Sequence, residues 1–154
     1  MSIYEGQRAV LGGGAEGPRL EEMAEHERAH LARFQALLPR YRARPSLLLP
    51  LWSAAGYVLG AASALAGREA AYAVTEAVED VISEHYNDQI RELRESGHAD
   101  EAELRSVFAA FRDDELAHLE LAVRNGAHAA PFYTALSQTV KAGCRAAIYV
   151  AERV

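Results

Sequence analysis

The sequence predicts an all-α protein, a bundle of helices without a β-sheet. Apolar residues recur at helical spacing through most of the chain, and no stretch sustains the apolar/polar alternation of a strand. Gly and Pro clusters divide the chain into six pieces, most of them of helix length. With 154 residues, 50% hydrophobic and 25% charged, residues 1–154 are expected to form one domain with a sizeable core.

The first piece, Met1 to about Leu11, ends at Gly12-Gly13-Gly14 and is short for a bundle helix. A second helix starts near Pro18, a residue suited to a first helical turn, and runs to about Ala43, with Pro39 expected to kink or end it. Ser46 to Gly67 follows without a single charged residue. A long helix from Arg68 to Glu95 closes at Ser96-Gly97, and Asp100 opens a fifth that stops at Asn125-Gly126. The last piece runs from Pro131 to Val154.

Composition excludes several classes of function. The formal net charge is −6 and all but one of the 16 basic residues are arginines spread along the chain, so no basic stripe awaits a nucleic-acid backbone. The single cysteine, Cys144, makes no internal disulfide and no thiolate cluster, which leaves any metal to His and carboxylates. Met1 to Glu5 shows no basic segment followed by an apolar run, so no secretory signal is visible. The uncharged stretch approaches the roughly 20 apolar residues that span a bilayer, although Pro50, Gly56 and Gly60 weaken that reading. Three readings stay open: a buried central helix, an interfacial element dipping into lipid, or a transmembrane span. Burial with one lipid-facing side is the expectation.

The chemistry lies on the apolar stripes. On the second helix Leu20, Met23, Ala24, Leu31, Phe34 and Leu37 share one face, and Glu27 and His30 fall inside it, whereas Glu21, Glu25, Arg28 and Arg33 do not. On the fifth helix Leu104, Phe108 and Phe111 continue into Glu115, His118 and Ala122. On the fourth, Tyr72, Ile82, Tyr86, Ile90 and Leu93 share a face with Glu79. Three carboxylates and two imidazoles aimed at one interior need compensating positive charge, which metal ions supply. Glu and His three apart on a helix are neighbours, and ferritin-like di-iron and di-manganese bundles draw such a pair from each of two helices and a single Glu from each of two others. The Glu-x-x-His motif alone is weak, since about 0.7 such pairs arise by chance in this composition. A third pair, Glu95 and His98, is discounted because Gly97 breaks the helix between them. On spacing alone, surface glutamates beside satisfied core histidines are the competing reading.

Several stretches resemble the demethoxyubiquinone hydroxylase family, the ferritin-like di-iron monooxygenases of ubiquinone biosynthesis. They are Ile3-Tyr4-Glu5-Gly6-Gln7, Glu27-Arg28-Ala29-His30-Leu31, Arg42-Ala43-Arg44-Pro45, Pro50-Leu51-Trp52, Ala77-Val78-Glu79-Asp80, His85-Tyr86-Asn87-Asp88-Gln89-Ile90-Arg91, Phe111 to His118 and Ala142 to Tyr149, nearly end to end and in order. The resemblance implies a ferritin-like four-helix bundle with a shortened first helix, an extra apolar crossover and a C-terminal helix. It implies a peripheral enzyme on the cytoplasmic side of the inner membrane that uses two iron ions, with manganese second, and dioxygen to hydroxylate the ring of a polyprenylated, demethoxylated quinone. Reducing power would come from NADH through the quinone itself, so Gly12-Gly13-Gly14 need not be a nucleotide loop. Partner proteins of quinone biosynthesis and an oligomer are compatible with it. Carried over residue by residue, the family's ligands fall on Glu27 and His30, Glu79, and Glu115 and His118.

One departure stands out. The family's first helix carries a further metal-binding Glu about six residues before the position of Ile3, which this chain does not reach. Glu5 lies about eight residues further on, roughly 12 Å along the axis and about 80° around it, and is a poor substitute. Two accounts are open: the chain begins at an internal Met of a longer protein, or one ligand has been lost. The second would make the chain an impaired scaffold or quinone-binding subunit. A ferroxidase or storage bundle is a third reading, less suited to the apolar crossover.

Tyr86 lies seven residues after Glu79, on nearly the same face, where it contacts substrate, relays an electron and proton, or is simply core. His85 points about 100° away. The apolar stretch and the last helix are the natural entrance for a polyisoprenoid tail, with Trp52 as interfacial anchor or core residue. His26, His98 and His128 read as surface residues, and Cys144 as a structural thiol.

Overall fold

A computed structural model describes residues 2–96 and 101–153. His98 and Asp100 lie outside the described residues, and with them the start expected for the fifth helix and the discounted Glu95/His98 pair. Six α-helices follow in order: α1 Ser2–Leu11, α2 Gly17–Leu37, α3 Leu49–Leu65, α4 Arg68–Glu95, α5 Ala102–Arg124 and α6 Tyr133–Ala151, with a 3-10 turn at Ala127–Ala129 before the last. No strand occurs among the described residues.

Glycine and proline set the boundaries as expected, with one adjustment. Regular α2 stops at Leu37 rather than near Ala43, because Pro39 has no N–H to continue the ladder. One more turn then closes as a Schellman motif: Ala43 N bonds Leu38 O at 3.0 Å, Arg42 N bonds Pro39 O at 3.3 Å, and Arg42 takes a left-handed φ of 51°. Gly126, at φ 95°, ends α5 in the same conformation without a side-chain penalty.

Side-chain pairings fix the topology. Tyr4 and Gln7 of α1 meet Glu79 and Thr75 of α4, so these helices run antiparallel. Arg105 bonds Leu93 O and Arg112 bonds Asn87, which makes α5 antiparallel to α4. His26 meets His118 and His30 meets Asp114, so α2 is antiparallel to α5. Consecutive bundle helices α2 and α4 are therefore parallel and need a long crossover, which α3 supplies; this is the ferritin-like connection. Outside the four, α6 runs parallel to α4 along a polar ladder: Tyr133 donates to Glu76 at 2.9 Å, Lys141 meets Asp80 at 2.6 Å and Arg145 meets Glu84 at 2.9 Å.

The central helix is α4, not the uncharged one. Ala70 through Thr75 are all buried, enclosed by α1, α3, α5 and α6. The reading of α3 as a buried central helix is thus overturned. Its buried residues are small, Gly60, Ser63 and Ala64, while Leu51 is 56% exposed, Val58 65% and Leu65 76%. No described helix is long and apolar enough to cross a membrane, so the transmembrane reading fails as well. Apolar composition reports only the absence of charge. The side a helix buries depends on its neighbours, and α3 buries its narrow glycine edge.

That edge crosses α1 at backbone contact. A Cβ on Gly60 would lie 2.0 Å from Ile3 O, and one on Gly6 would lie 2.1 Å from Tyr57 O. Gly56 and Gly60, four apart on α3, form a small-residue stripe that permits this approach. Gly60→Ala is accordingly expected to push α1 off α3 and cost about 1–3 kcal/mol, read as a lower midpoint in denaturant with unchanged slope.

Candidate metal centre

Two apolar layers bracket a polar slab. On one side Phe34, Tyr86, Phe108 and Phe111 pack ring against ring, with centroids between 5.2 and 6.4 Å apart. On the other, Tyr4, Leu20, Met23 and Ala24 form a second buried cluster. Between them α2 projects Glu27 and His30, α4 projects Glu79, and α5 projects Glu115 and His118.

The structure brings all five residues together. Glu27, His30 and Glu115 form one group, and Glu79, Glu115 and His118 another, each offering ligand atoms within 4.8 Å of one another. Glu115 belongs to both. Glu79, Glu115, His30 and His118 are each at most 5% exposed, which rules out the surface reading of these side chains. Glu5 belongs to neither group.

Three buried polar atoms here have no hydrogen-bond partner: His30 Nδ1, His118 Nδ1 and Glu115 Oε2. Orphaned buried groups are costly and rare, and these three converge. His30 Nδ1 lies 3.3 Å from Glu115 Oε1 and 3.8 Å from Glu27 Oε1, and His118 Nδ1 lies 3.4 Å from Glu115 Oε2. Lone pairs of two imidazoles and several carboxylates turned toward one space fit cations of the iron or manganese kind, for which oxygen and imidazole are suitable donors.

Electrostatics agree. Burial, followed by the charges of Glu115 and Glu27, pushes Glu79 well above the ordinary carboxylate range. Burial also raises Glu115, but His118, His30 and Glu79 outweigh it and bring this carboxyl down to about 2. Burial lowers His30, yet Glu115 and Asp114 more than reverse that, and the imidazole ends above its usual value. Tyr4 and Tyr86 are both raised, by burial first and then by the neighbouring carboxylates, so each keeps its proton.

These shifts set the pH response of the metal-free chain. Because Glu79 is raised, its protonation stabilises the fold at low pH, and that contribution is lost as pH climbs from the ordinary carboxylate range through the raised value. Glu115 is lowered, so its contribution is present above the ordinary range and lost only as pH falls toward about 2. The metal-free Tm should therefore decline between mildly acidic and neutral pH, and Glu79→Gln should reduce the decline to the part that the raised His30 imidazole contributes, raising the neutral-pH Tm by about 2–4 °C for each kcal/mol relieved. Calorimetry of the chelator-treated protein checks both.

Three contacts escape a reading of spacing. Tyr4 of α1 donates its hydroxyl to Glu79 Oε1 and sets its ring edge-on to His118 at 5.8 Å. Asp114 Oδ2 accepts from His30 Nε2 at 2.9 Å. His26 is exposed, as expected, but its Nδ1 lies 3.1 Å from His118 Nε2 and its ring meets that imidazole edge to edge, centroids 5.3 Å apart, so it is part of the site's surround. Sequence offered partial signals: Tyr4 and Gln7 are one turn apart on one face, and Asp114 and His26 each precede a site glutamate.

The remaining sequence candidates divide cleanly. Tyr86 is buried in the aromatic layer. His85 faces away, half-buried beside Glu152 at 3.9 Å, and His128 is exposed and bonded to Glu76 at 3.0 Å. Cys144 is half-buried, and burial raises its thiol. Trp52 lines a cavity of about 410 Å³ with Ser2, Ile3, Glu27, His30, Phe34, Gly56 and Tyr86. A second cavity, about 220 Å³, is lined by Tyr4, Glu79 and Glu115 and shares Ile3, Glu27 and Tyr86 with the first.

Comparison with known proteins supplies the family. Residues 1–151 match the family described as ubiquinone biosynthesis protein COQ7. The chain is 49% identical over 152 residues to the "NADPH-dependent 3-demethoxyubiquinone 3-hydroxylase, mitochondrial" of Dictyostelium discoideum, covering 99% of this chain and 70% of that protein. It is 45% identical over 152 residues to the human protein of the same name, again over 99% and 70%. To the "3-demethoxyubiquinol 3-hydroxylase" of Rhodospirillum rubrum it is 46% identical over 155 residues, covering 100% and 71%. With this match along nearly its whole length and the bundle described above, the chain belongs to the COQ7 family of ubiquinone biosynthesis proteins.

Proposed function

We propose that this chain is a dioxygen-dependent hydroxylase acting on the ring of a demethoxylated, polyprenylated ubiquinone precursor. The observation that carries the reading is the pair of cavities meeting at Ile3, Glu27 and Tyr86: an apolar passage under α3 leads to the carboxylate–histidine slab. The names of the relatives support the reaction class.

Glu27, His30, Glu79, Glu115 and His118 would hold two iron ions, with Glu115 facing both positions and one imidazole serving each. Bound ferrous iron supplies the electrons and Lewis acidity that dioxygen activation needs. The chain does the rest. Phe34, Ile3 and Trp52 line the passage with apolar surface that excludes water around a quinone ring. Tyr86, protonated at the junction of the two cavities, offers its O–H to a ring oxygen and sets which carbon faces the centre. Tyr4 holds one oxygen of Glu79 and leaves the other toward the slab.

Reducing equivalents come from a reduced nicotinamide nucleotide through the quinone. The mitochondrial relatives' names specify NADPH where the resemblance implied NADH. The chain rests on the cytoplasmic face of the inner membrane, with the exposed stripe of Leu47, Leu51, Val58 and Leu65 in the lipid.

The test is direct. Chain loaded anaerobically with ferrous iron, given a demethoxyubiquinol in lipid vesicles and then dioxygen, should yield product heavier by one oxygen atom drawn from labelled O₂. Loaded, folded protein that returns the quinol unchanged sinks the proposal and favours the scaffold reading.

A further inference from the structure

The two site imidazoles are backed by different chemistry. Each leaves Nδ1 inward without a partner, and each engages Nε2 on the outside. Behind His30 stands a carboxylate, Asp114, at 2.9 Å; behind His118 stands another imidazole, His26, at 3.1 Å. A neutral imidazole carries one proton. If Nδ1 of His118 is to present a lone pair inward, the proton sits on Nε2 and must be donated outward. His26 Nδ1 accepts it only when His26 carries its own proton on Nε2. The rings meet edge to edge, 17° from coplanar with centroids 5.3 Å apart, which holds the two nitrogens in line.

We propose that His26 is a positioning residue that fixes His118 as the Nε2–H tautomer, and so makes its Nδ1 a ready donor to a divalent cation. The proposal rests on the reading of the slab as a metal centre, because without a cation Nδ1 of His118 faces the Glu115 carboxylate at 3.4 Å and carries the proton itself. Outer partners of metal-bound histidines change affinity by about 10–100-fold when removed. The two positions are therefore unequal by construction, since a neutral imidazole polarises His118 less than the Asp114 carboxylate polarises His30.

His26→Phe keeps an aromatic ring at the edge of His118 but removes the acceptor, whereas His26→Gln restores an acceptor on a side chain of similar reach. Proton and nitrogen-15 NMR of the Zn²⁺-loaded chain read the His118 Nε2–H group and its hydrogen bond. The expected result is a hydrogen-bonded, slowly exchanging Nε2–H in the parent chain and in His26→Gln, and an unbonded, fast-exchanging one in His26→Phe. Titration with Co²⁺ should show one position weakened about 10–100-fold in His26→Phe, the other unchanged, and recovery in His26→Gln. An unchanged His118 Nε2–H signal in His26→Phe overturns the proposal, as does equal weakening of both positions. Should the parent chain take up neither Co²⁺ nor Zn²⁺, the metal-centre reading fails and this proposal with it, whereas uptake with affinities that His26→Phe leaves unchanged overturns this proposal alone.

Discussion

Glu115→Ala is expected to empty both metal positions at once, taking ferrous iron per chain from two to background and hydroxylation with it. Among the described residues Glu115 alone belongs to both ligand groups. Its carboxylate lies 3.3 Å from His30 Nδ1 and 3.4 Å from His118 Nδ1. Without it each position keeps one imidazole and one carboxylate, too few donors to compete with water for a hard cation. His30→Ala is the contrasting variant, since it leaves Glu79, Glu115 and His118 intact and should retain about half the metal. Iron per chain after anaerobic loading and desalting separates them, and a Glu115→Ala protein that still holds two ions would refute the shared-carboxylate arrangement.

The second large effect concerns lipid. Leu51→Glu combined with Val58→Glu should lower the partition of the chain onto anionic vesicles by about 10²–10⁴-fold, because each exposed aliphatic side chain gains roughly 1.5–3 kcal/mol on leaving water. Both residues are more than half exposed, so the fold should tolerate the change, as circular dichroism will show. The same variant, assayed in detergent micelles where no bilayer need be engaged, should recover most of its turnover. Unaltered vesicle binding would mean that another surface carries the chain to its substrate.

Much of this architecture was legible in residue order because glycine and proline act locally. Gly126, Pro39 and the Gly12 to Gly14 run stop helices wherever they occur, and the boundaries followed within a few residues. The five central side chains were legible for a different reason: charged residues at stripe positions violate the pattern around them. The position of α3 was not legible, since hydrophobicity says that a helix avoids water and not what it touches. Gly56 and Gly60 carried that information as an absence of side chain. Tyr4 and His26 were hidden because their roles arise across helices. His26 sits about 100° from Glu27 on its own helix and reaches His118 only because α5 passes alongside.

The crossing of α1 and α3 at their glycines has a mechanical meaning. With carbonyl oxygens of Ile3 and Tyr57 pressed into the opposite helix, neither rod can slide along the other, so the pair moves as a single lever. The outer face of that lever carries the aliphatic stripe along α3, and its crossing point carries the Tyr4 hydroxyl seated on Glu79. A tilt of α3 against the bundle would thereby be transmitted through α1 to a carboxylate at the heart of the bundle.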